Sequence, residues 1–412
     1  MKLNKQRIAI LSVHSCPVGT LGTKDTGGMS VYIREVARKL GEQGNIVEVF
    51  TRTHDPRDKQ IYELGENARL IHLAAGENEQ IDKLAVYPYL PDFIRNIEAF
   101  RKQNGLDYDL LFSHYWLSGP VGEYLAECWK IPNVITFHTL GAVKNAIGLG
   151  DGEPELRITT EKKIAQNSQR IIASTEKEKT DIIRHYDTAS EKIVVVPCGV
   201  NLGQFRITDR EDARQHLGIG NEKIILFVGR IDPLKGINKL VEAASYLRDR
   251  QDWRLMIIGG GENSILEINK LKKLAVNLGI SDRVTFSGLI KHNELPYYYS
   301  ASDVCVMPSY YESFGLVALE SLACGTPVIA NNVGALRDTI LDGKTGYVVP
   351  DNNVPSLIEK IKIVLDWPKS PGRANEIRES VAEFGWDKVA AGIIHECRRD
   401  YTSREPILPA KL

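Results

Sequence analysis

The sequence predicts an α/β protein with two Rossmann-like domains, each a doubly wound parallel sheet, facing a central cleft. Three observations carry this reading. Short β-rich runs alternate with longer helical patterns from end to end of the 412 residues. Most of those runs are apolar throughout, as in parallel strands covered on both faces. The alternation pauses once, after Pro197, and then restarts.

The elements follow in order. Arg7–Val13 predicts a first strand; the start MKLNKQRIAILSV is basic, but its apolar stretch is too short for a signal peptide and no small-residue cleavage site follows. Met29, Ile33, Val36, Ala37 and Leu40 recur at helical spacing, and Gly44 follows as a stop. Strands are predicted at Ile46–Thr51, Arg69–Leu73, Leu110–Ser113, Asn133–Phe137, Arg170–Ala173 and Lys192–Val196. The segment PCGVNLGQFRITDRED has turn formers and charges without an apolar period, so it reads as a linker. Further strands are predicted at Lys223–Val228, Arg254–Ile258, Arg283–Phe286, Val304–Met307, Pro327–Ala330 and Gly346–Val349, and closing helices near Val354–Leu365 and Asp387–Tyr401. The expected units are 1–200, 201–385 and a terminal helix at 386–412.

Composition narrows the function. The formal net charge is −1, so no global basic field points to nucleic acid. No apolar run approaches the roughly 18 residues of a membrane span. The six cysteines are scattered without a C-x-x-C, which suits a reducing cytoplasm. The nine histidines form no H-x-H or H-E-x-x-H, so no metal cage is expected.

Five stretches carry chemistry. In PSYYESFGLVALE, Glu312 and Glu320 flank Phe314-Gly315, where a loop turns into a helix. A helix start offers unpaired N–H groups and partial positive charge, a seat for an anion, while the carboxylates can accept from sugar hydroxyls. DTGGMSVYI (Asp25–Ile33) follows the first strand and opens the first helix, so Gly28 lets backbone approach a diphosphate. VGRIDPLKG places Arg230 and Lys235 after a strand, two cations suited to a polyphosphate. FHTLGAVKN places His138 and Thr139 after another strand, and IIGGGEN ends a strand on three glycines, Gly260 among them. Taken singly, each has a plainer reading: tight turns, solvated charges, a hydrogen-bonded structural histidine. All five sit at strand ends, which places them on one cleft.

GTKDTGGMSVY, HYWLSG, TFHTLGAVKN, VGRIDPLKG, IIGGGEN and PSYYESFGLVALESLACGTPVIA together resemble the family 4 retaining glycosyltransferases, with their two-domain B-type fold, over nearly the whole chain. The Glu312–Glu320 spacing is the most specific element. The resemblance implies an N-terminal acceptor domain, a C-terminal nucleotide-sugar domain and a last helix crossing back. It implies a donor site of Gly28, Gly260, Glu312, Phe314, Gly315, Leu316 and Glu320, with catalytic roles for His138, Arg230, Lys235 and Glu312. Leaving-group charge on the diphosphate would be met by Arg230, Lys235 and the helix start, without a metal. The departing phosphate taking the acceptor's proton on the front face, and double displacement through a carboxylate, both remain open. No cofactor is required; the donor is a nucleotide-diphosphate sugar, a UDP-sugar first, and Mg2+ can assist without being essential.

On the acceptor side, Ser30, Lys83, Tyr115, Thr139 and Arg157 resemble the contacts of members that bind a phosphorylated polyol or sugar. Sucrose-phosphate-synthase-like enzymes, which use fructose 6-phosphate, are favoured by YPYLPDF at Tyr87–Phe93. Mycothiol-pathway inositol-phosphate N-acetylglucosaminyltransferases share Lys83, Tyr115, Thr139 and Arg157, but Ser30 stands where their asparagine is expected. The expected activity is hexosyl transfer to a small phosphorylated acceptor in the cytoplasm, with no nucleic-acid partner and no membrane span; a homo-oligomer is compatible with it. The rivals are a transferase acting on a lipid-linked acceptor, a sugar-nucleotide epimerase and a non-catalytic nucleotide-sugar binder.

Overall fold

Each half of the chain builds its own sheet in the computed structural model, which describes residues 5–402 apart from 20, 22–25, 78, 80, 150–151, 262–263, 351–352 and 369. The first sheet contains β1 (Arg7–Leu11), β2 (Ile46–Arg52), β3 (Ile61–Gly65), β4 (Ala68–Leu73), β5 (Leu110–His114), β6 (Asn133–Thr136), β7 (Arg170–Ala173) and β8 (Ile193–Val195), in the order β3-β4-β2-β1-β5-β6-β7-β8. The second contains β9 (Lys223–Val228), β10 (Trp253–Ile258), β11 (Val284–Gly288), β12 (Val304–Met307), β13 (Val328–Asn331) and β14 (Gly346–Val349), in the order β11-β10-β9-β12-β13-β14. Every pairing among these strands is parallel except β3 with β4.

The apolar runs became the central strands because both faces are covered: Ile8, Ala9, Ile10 and Leu11 have no exposed surface at all. The unpredicted strand, β3, lies at an antiparallel edge, and its residues are exposed or half-buried throughout. An edge strand covered this little needs no apolar run, so its pattern was weak. The stretch read as a linker contains the start of the helix Arg210–Leu217, where Asp209 accepts the N–H groups of Glu211 and Asp212. That helix buries only Ala213 and Arg214, too little to leave an apolar period.

Strand order reverses at β1 in one sheet and at β9 in the other, and ligand crevices open beyond the carboxyl ends of strands at such points. The helix Gly28–Glu42 follows β1, and the turn carrying Arg230 follows β9. One apolar cluster runs between the sheets, holding Ile8 and Tyr32 together with Ile224 and Trp386. The last helix, Trp386–Thr402, packs against Gly28–Glu42: the Trp386 and Tyr32 rings stand 5.4 Å apart edge to face, and Gln43 donates to the Asp387 carbonyl at 2.9 Å. Among the described residues no helix is long and apolar enough to cross a membrane.

Candidate active site

The stretch PSYYESFGLVALE folds as a loop leaving β12 and entering the helix Leu316–Ala323. Gly315 caps it at φ 99°, and a Cβ there would meet Leu336 Cδ2 at 2.6 Å, so conformation and space both require glycine. Among the described residues no side chain caps the first N–H groups of this helix. Phe314 beside it is buried, its ring 6.2 Å from Phe384. Glu320 lies inside the helix and is itself buried: His292 Nε2 stands 2.9 Å from one oxygen, and Tyr299 donates to the other at 2.8 Å. A carboxylate has about four lone-pair sites, so Glu320 can still accept from a hydroxyl.

Lys235 reaches this loop from the β9 side. Its Nζ lies 2.6 Å from Glu312 Oε1, which also accepts from Ser309 Oγ at 2.9 Å. Gly236 makes the approach possible: its φ is 64°, and a Cβ there would fall 2.0 Å from the Pro308 carbonyl oxygen. Arg230, 43% exposed at its side chain, stands 3.9 Å from Asp232 Oδ2. Gly260 turns the chain against Ile231 and Ile268; Glu262 and Asn263 of IIGGGEN lie outside the described residues, as do Gly22–Asp25 of GTKDTGGMSVY.

Gly28 faces this constellation from the other sheet. It opens the helix Gly28–Glu42 without a side-chain cap among the described residues, and a Cβ on it would sit 3.4 Å from Leu316 Cδ1. Two helix starts therefore oppose each other, and both favour negative charge in the gap. Tyr311 also spans the gap, its hydroxyl oxygen accepting the Leu140 N–H at 3.3 Å.

His138 and Tyr115 both adopt left-handed backbone, at φ 61° and 72°, just beyond β6 and β5. Side chains rarely tolerate this conformation, and here it aims two residues into one corner. His138 Nε2 lies 2.9 Å from His114 Nδ1, and the His138 ring packs 5.1 Å from Tyr32. Burial pulls His138 down to about 3 and His114 well below the ordinary histidine value, so both are neutral at pH 7. His114 Nε2 is buried without a partner among the described residues. The tautomer that avoids an orphaned buried N–H has His114 donate from Nδ1, which leaves the His138 proton on its own Nδ1.

Lys83, Tyr115, Thr139 and Arg157 come together. The Arg157 side chain is wholly buried; Nε bonds Glu161 Oε1 at 2.6 Å, and Nη2 donates to the Thr139 carbonyl and hydroxyl, both at 2.9 Å. Its guanidinium lies 4.8 Å over the Tyr115 ring. Glu153 occupies the centre of the cations: Arg157 Nη1 is 2.8 Å away, Lys144 Nζ 2.7 Å and Lys83 Nζ 4.0 Å. Burial pushes the Glu153 carboxyl up, but Arg157, Lys144 and Lys83 overrule it and bring it down to about 2. The three cations thus converge on one carboxylate. Ser30 stands apart from this group, fully buried, its hydroxyl 2.7 Å from that of Ser15.

Sequence reasoning passed over His114, Lys144, Glu153, His292 and Tyr311. His114 and Lys144 lie inside motifs already singled out, where strand-end position marks them. His292 acts through a partner distant in sequence and left no local signal, whereas Glu153 stands four residues before Arg157, a spacing that marks it.

Comparison with known proteins shows which family the chain is similar to. Glycosyltransferase Family 4 matches residues 26–204, and Glycosyl transferases group 1 matches residues 209–381. A D-inositol 3-phosphate glycosyltransferase of Streptomyces scabiei is 39% identical over 398 residues, covering 94% of this chain and 89% of its own. One from Streptomyces bingchenggensis is 40% identical over 416 residues, covering 96% and 90%. Among solved structures, a sucrose-phosphate synthase from Thermosynechococcus elongatus superposes with a TM-score of 0.87 at 34% identity, covering 97% of this chain and all of that one.

Proposed function

The chain belongs to the family 4 glycosyltransferases of the B-type two-domain fold and takes its sugar from a nucleotide sugar, and from that premise we propose that it passes a hexosyl unit, with retention, to a small phosphorylated acceptor. The observation that carries the acceptor class is the convergence of Lys83, Lys144 and Arg157 on one carboxylate, beside the Tyr115 ring and the Thr139 hydroxyl. Cations and hydroxyl donors arranged in this way satisfy the many acceptor sites of a phosphate dianion. Glu153 holds them in place until phosphate enters.

The donor reading follows from the opposed helix starts. The diphosphate lies between Gly28 and Leu316, and charge that builds on it as the sugar departs meets two helix N-termini, Arg230 and Lys235. Glu312 and Glu320 accept from sugar and ribose hydroxyls. Neutral His138 offers an N–H to the sugar near its reacting carbon and adds no charge. The UDP-sugar is the donor tried first, and the leaving phosphate is positioned to take the acceptor's proton.

Fructose 6-phosphate is the acceptor placed first, supported by the Tyr87–Phe93 segment and by the 0.87 TM-score of the sucrose-phosphate synthase. Inositol 3-phosphate is the second reading, supported by the 39–40% identity of the curated relatives. A matrix of UDP-, GDP- and ADP-hexoses against fructose 6-phosphate, inositol 3-phosphate and their unphosphorylated forms tests both, with products identified by mass spectrometry. Equal turnover of plain and phosphorylated acceptors would remove the proposal.

A further inference from the structure

At the carboxyl ends of β1, β2 and β4, Cys16 and His54 from the loops beyond and His72 from within β4 each bring one ligating atom to within 4.8 Å of the others. Cys16 Sγ is 3.3 Å from His72 Nε2, and both residues are buried. Each imidazole is oriented by a backbone carbonyl: His72 Nδ1 lies 2.9 Å from the Lys59 oxygen, and His54 Nε2 lies 3.1 Å from the His14 oxygen. A carbonyl oxygen only accepts, so those nitrogens carry the protons. The lone pairs are left on His72 Nε2 and His54 Nδ1. His54 Nδ1 is buried and has no hydrogen-bond partner among the described residues.

A buried lone pair without a donor, beside a thiol and a second imidazole lone pair, is an arrangement a cation resolves. Carbonyl-bound imidazoles are also the usual outer shell of metal-ligating histidines. Asp58 offers an oxygen at 3.9 Å from His72 Nε2, while it accepts the backbone N–H groups of His54 and Asp55.

We propose that Cys16, His54 and His72 bind a Zn2+ ion, with Asp58 or water as the fourth ligand. Two imidazole nitrogens and a thiolate select zinc over the hard cations. Tetrahedral zinc with bonds of about 2.0–2.3 Å separates its ligands by about 3.3–3.8 Å, so the Cys16–His72 pair is already at the right spacing. Binding takes the thiolate, and the thiol proton passes to solvent.

The ion is a structural clip and touches no substrate. It ties the loop after β1 to β2 and β4. That loop carries His14, whose ring lies 4.4 Å from Tyr115, and Ser15, whose hydroxyl meets Ser30. Zinc therefore steadies the acceptor wall of the cleft.

The test uses tag-free protein, stripped by chelation and dialysed against Zn2+. About one Zn2+ per chain should be retained, by elemental analysis. Co2+ in its place should give a thiolate-to-cobalt charge-transfer band with tetrahedral d–d bands. Cys16→Ser should abolish the charge-transfer band, His72→Ala should weaken Zn2+ binding at least about tenfold, and Cys128→Ser should change neither. A wild-type protein that keeps no Zn2+, a cobalt spectrum lacking the thiolate band, or wild-type affinity in Cys16→Ser would each overturn the proposal. Should Cys16→Ser not fold, peptide mapping decides: Zn2+ must protect Cys16 of the unfractionated wild-type protein from alkylation, and an unprotected Cys16 refutes the site.

Discussion

Lys235 Nζ lies 2.6 Å from Glu312 Oε1, a bond between two loops 77 residues apart in sequence. It places the cation proposed for the diphosphate against the carboxylate proposed for the sugar. Neither side chain is more than 18% exposed, so water screens the pair only in part.

Lys235→Ala should lower kcat about 10²–10³-fold, the usual cost of losing one donor aimed at developing charge. Glu312→Gln frees the ammonium and should cost less in kcat than in donor KM. The double variant should fall well short of the sum of the two effects, because the residues act as a unit. Strict additivity in steady-state kinetics would show that the contact does not matter to catalysis.

Gly28→Val places methyl groups in the gap where a Cβ is already 3.4 Å from Leu316 Cδ1. The fold should survive, since Gly28 is exposed in a helical first turn. Donor affinity should fall at least about tenfold, near 1.4 kcal/mol, and Leu316→Ala in the same chain should restore part of it. Calorimetric titration with the nucleoside diphosphate reads both.

Glu153→Gln removes the carboxylate that pairs with Lys83, Lys144 and Arg157 and that, in the proposed site, competes with phosphate for them. Inorganic phosphate should bind the variant about tenfold more tightly than the wild type, a modest fraction of the roughly 4 kcal/mol that one charge contact can supply near a protein surface. Acceptor KM should drop in parallel. Weaker phosphate binding by the variant would show Glu153 to be a scaffold and not a competitor.

Glu153 also links stability to acid. Its folded value of about 2 lies below the ordinary 4.5, so its contribution is complete above pH 4.5 and is lost as the pH falls from 4.5 towards 2. Urea titrations across that window should show a shallower decline for Glu153→Gln than for the wild type.

His138, with its value near 3, stays neutral above about pH 4. A fall in acceptor kcat/KM between pH 7 and 5 should therefore follow the second ionisation of the acceptor phosphate, near 6. It should persist in His138→Asn, whose rate is lower overall. An acid limb that vanishes in the variant would return the titration to His138.

Much of the fold was legible because the central strands are buried on both faces and so must be apolar throughout. β3 was not, since an exposed edge asks little of its residues, and the helix Arg210–Leu217 was hidden by its polarity. The candidate site was legible where strand-end position exposes it, as at Arg230, His138 and Gly28. The Lys83–Glu153 and His292–Glu320 pairs and the Cys16–His54–His72 group were not, because those partners lie in other loops at no fixed spacing.

By itself the sequence determined the α/β class, the strand-end motifs and the family resemblance, since periodicity, glycine placement and motif order are local properties of a chain. Packing of the whole chain settled which distant charges neutralise each other. Lys235 pairs with Glu312 and His114 with His138 through contacts made when separate strand ends converge, while Arg157 takes Glu153 and Glu161 from four residues on either side. Burial then sets their protonation, and burial is a property of the packed whole, which no short window of sequence contains.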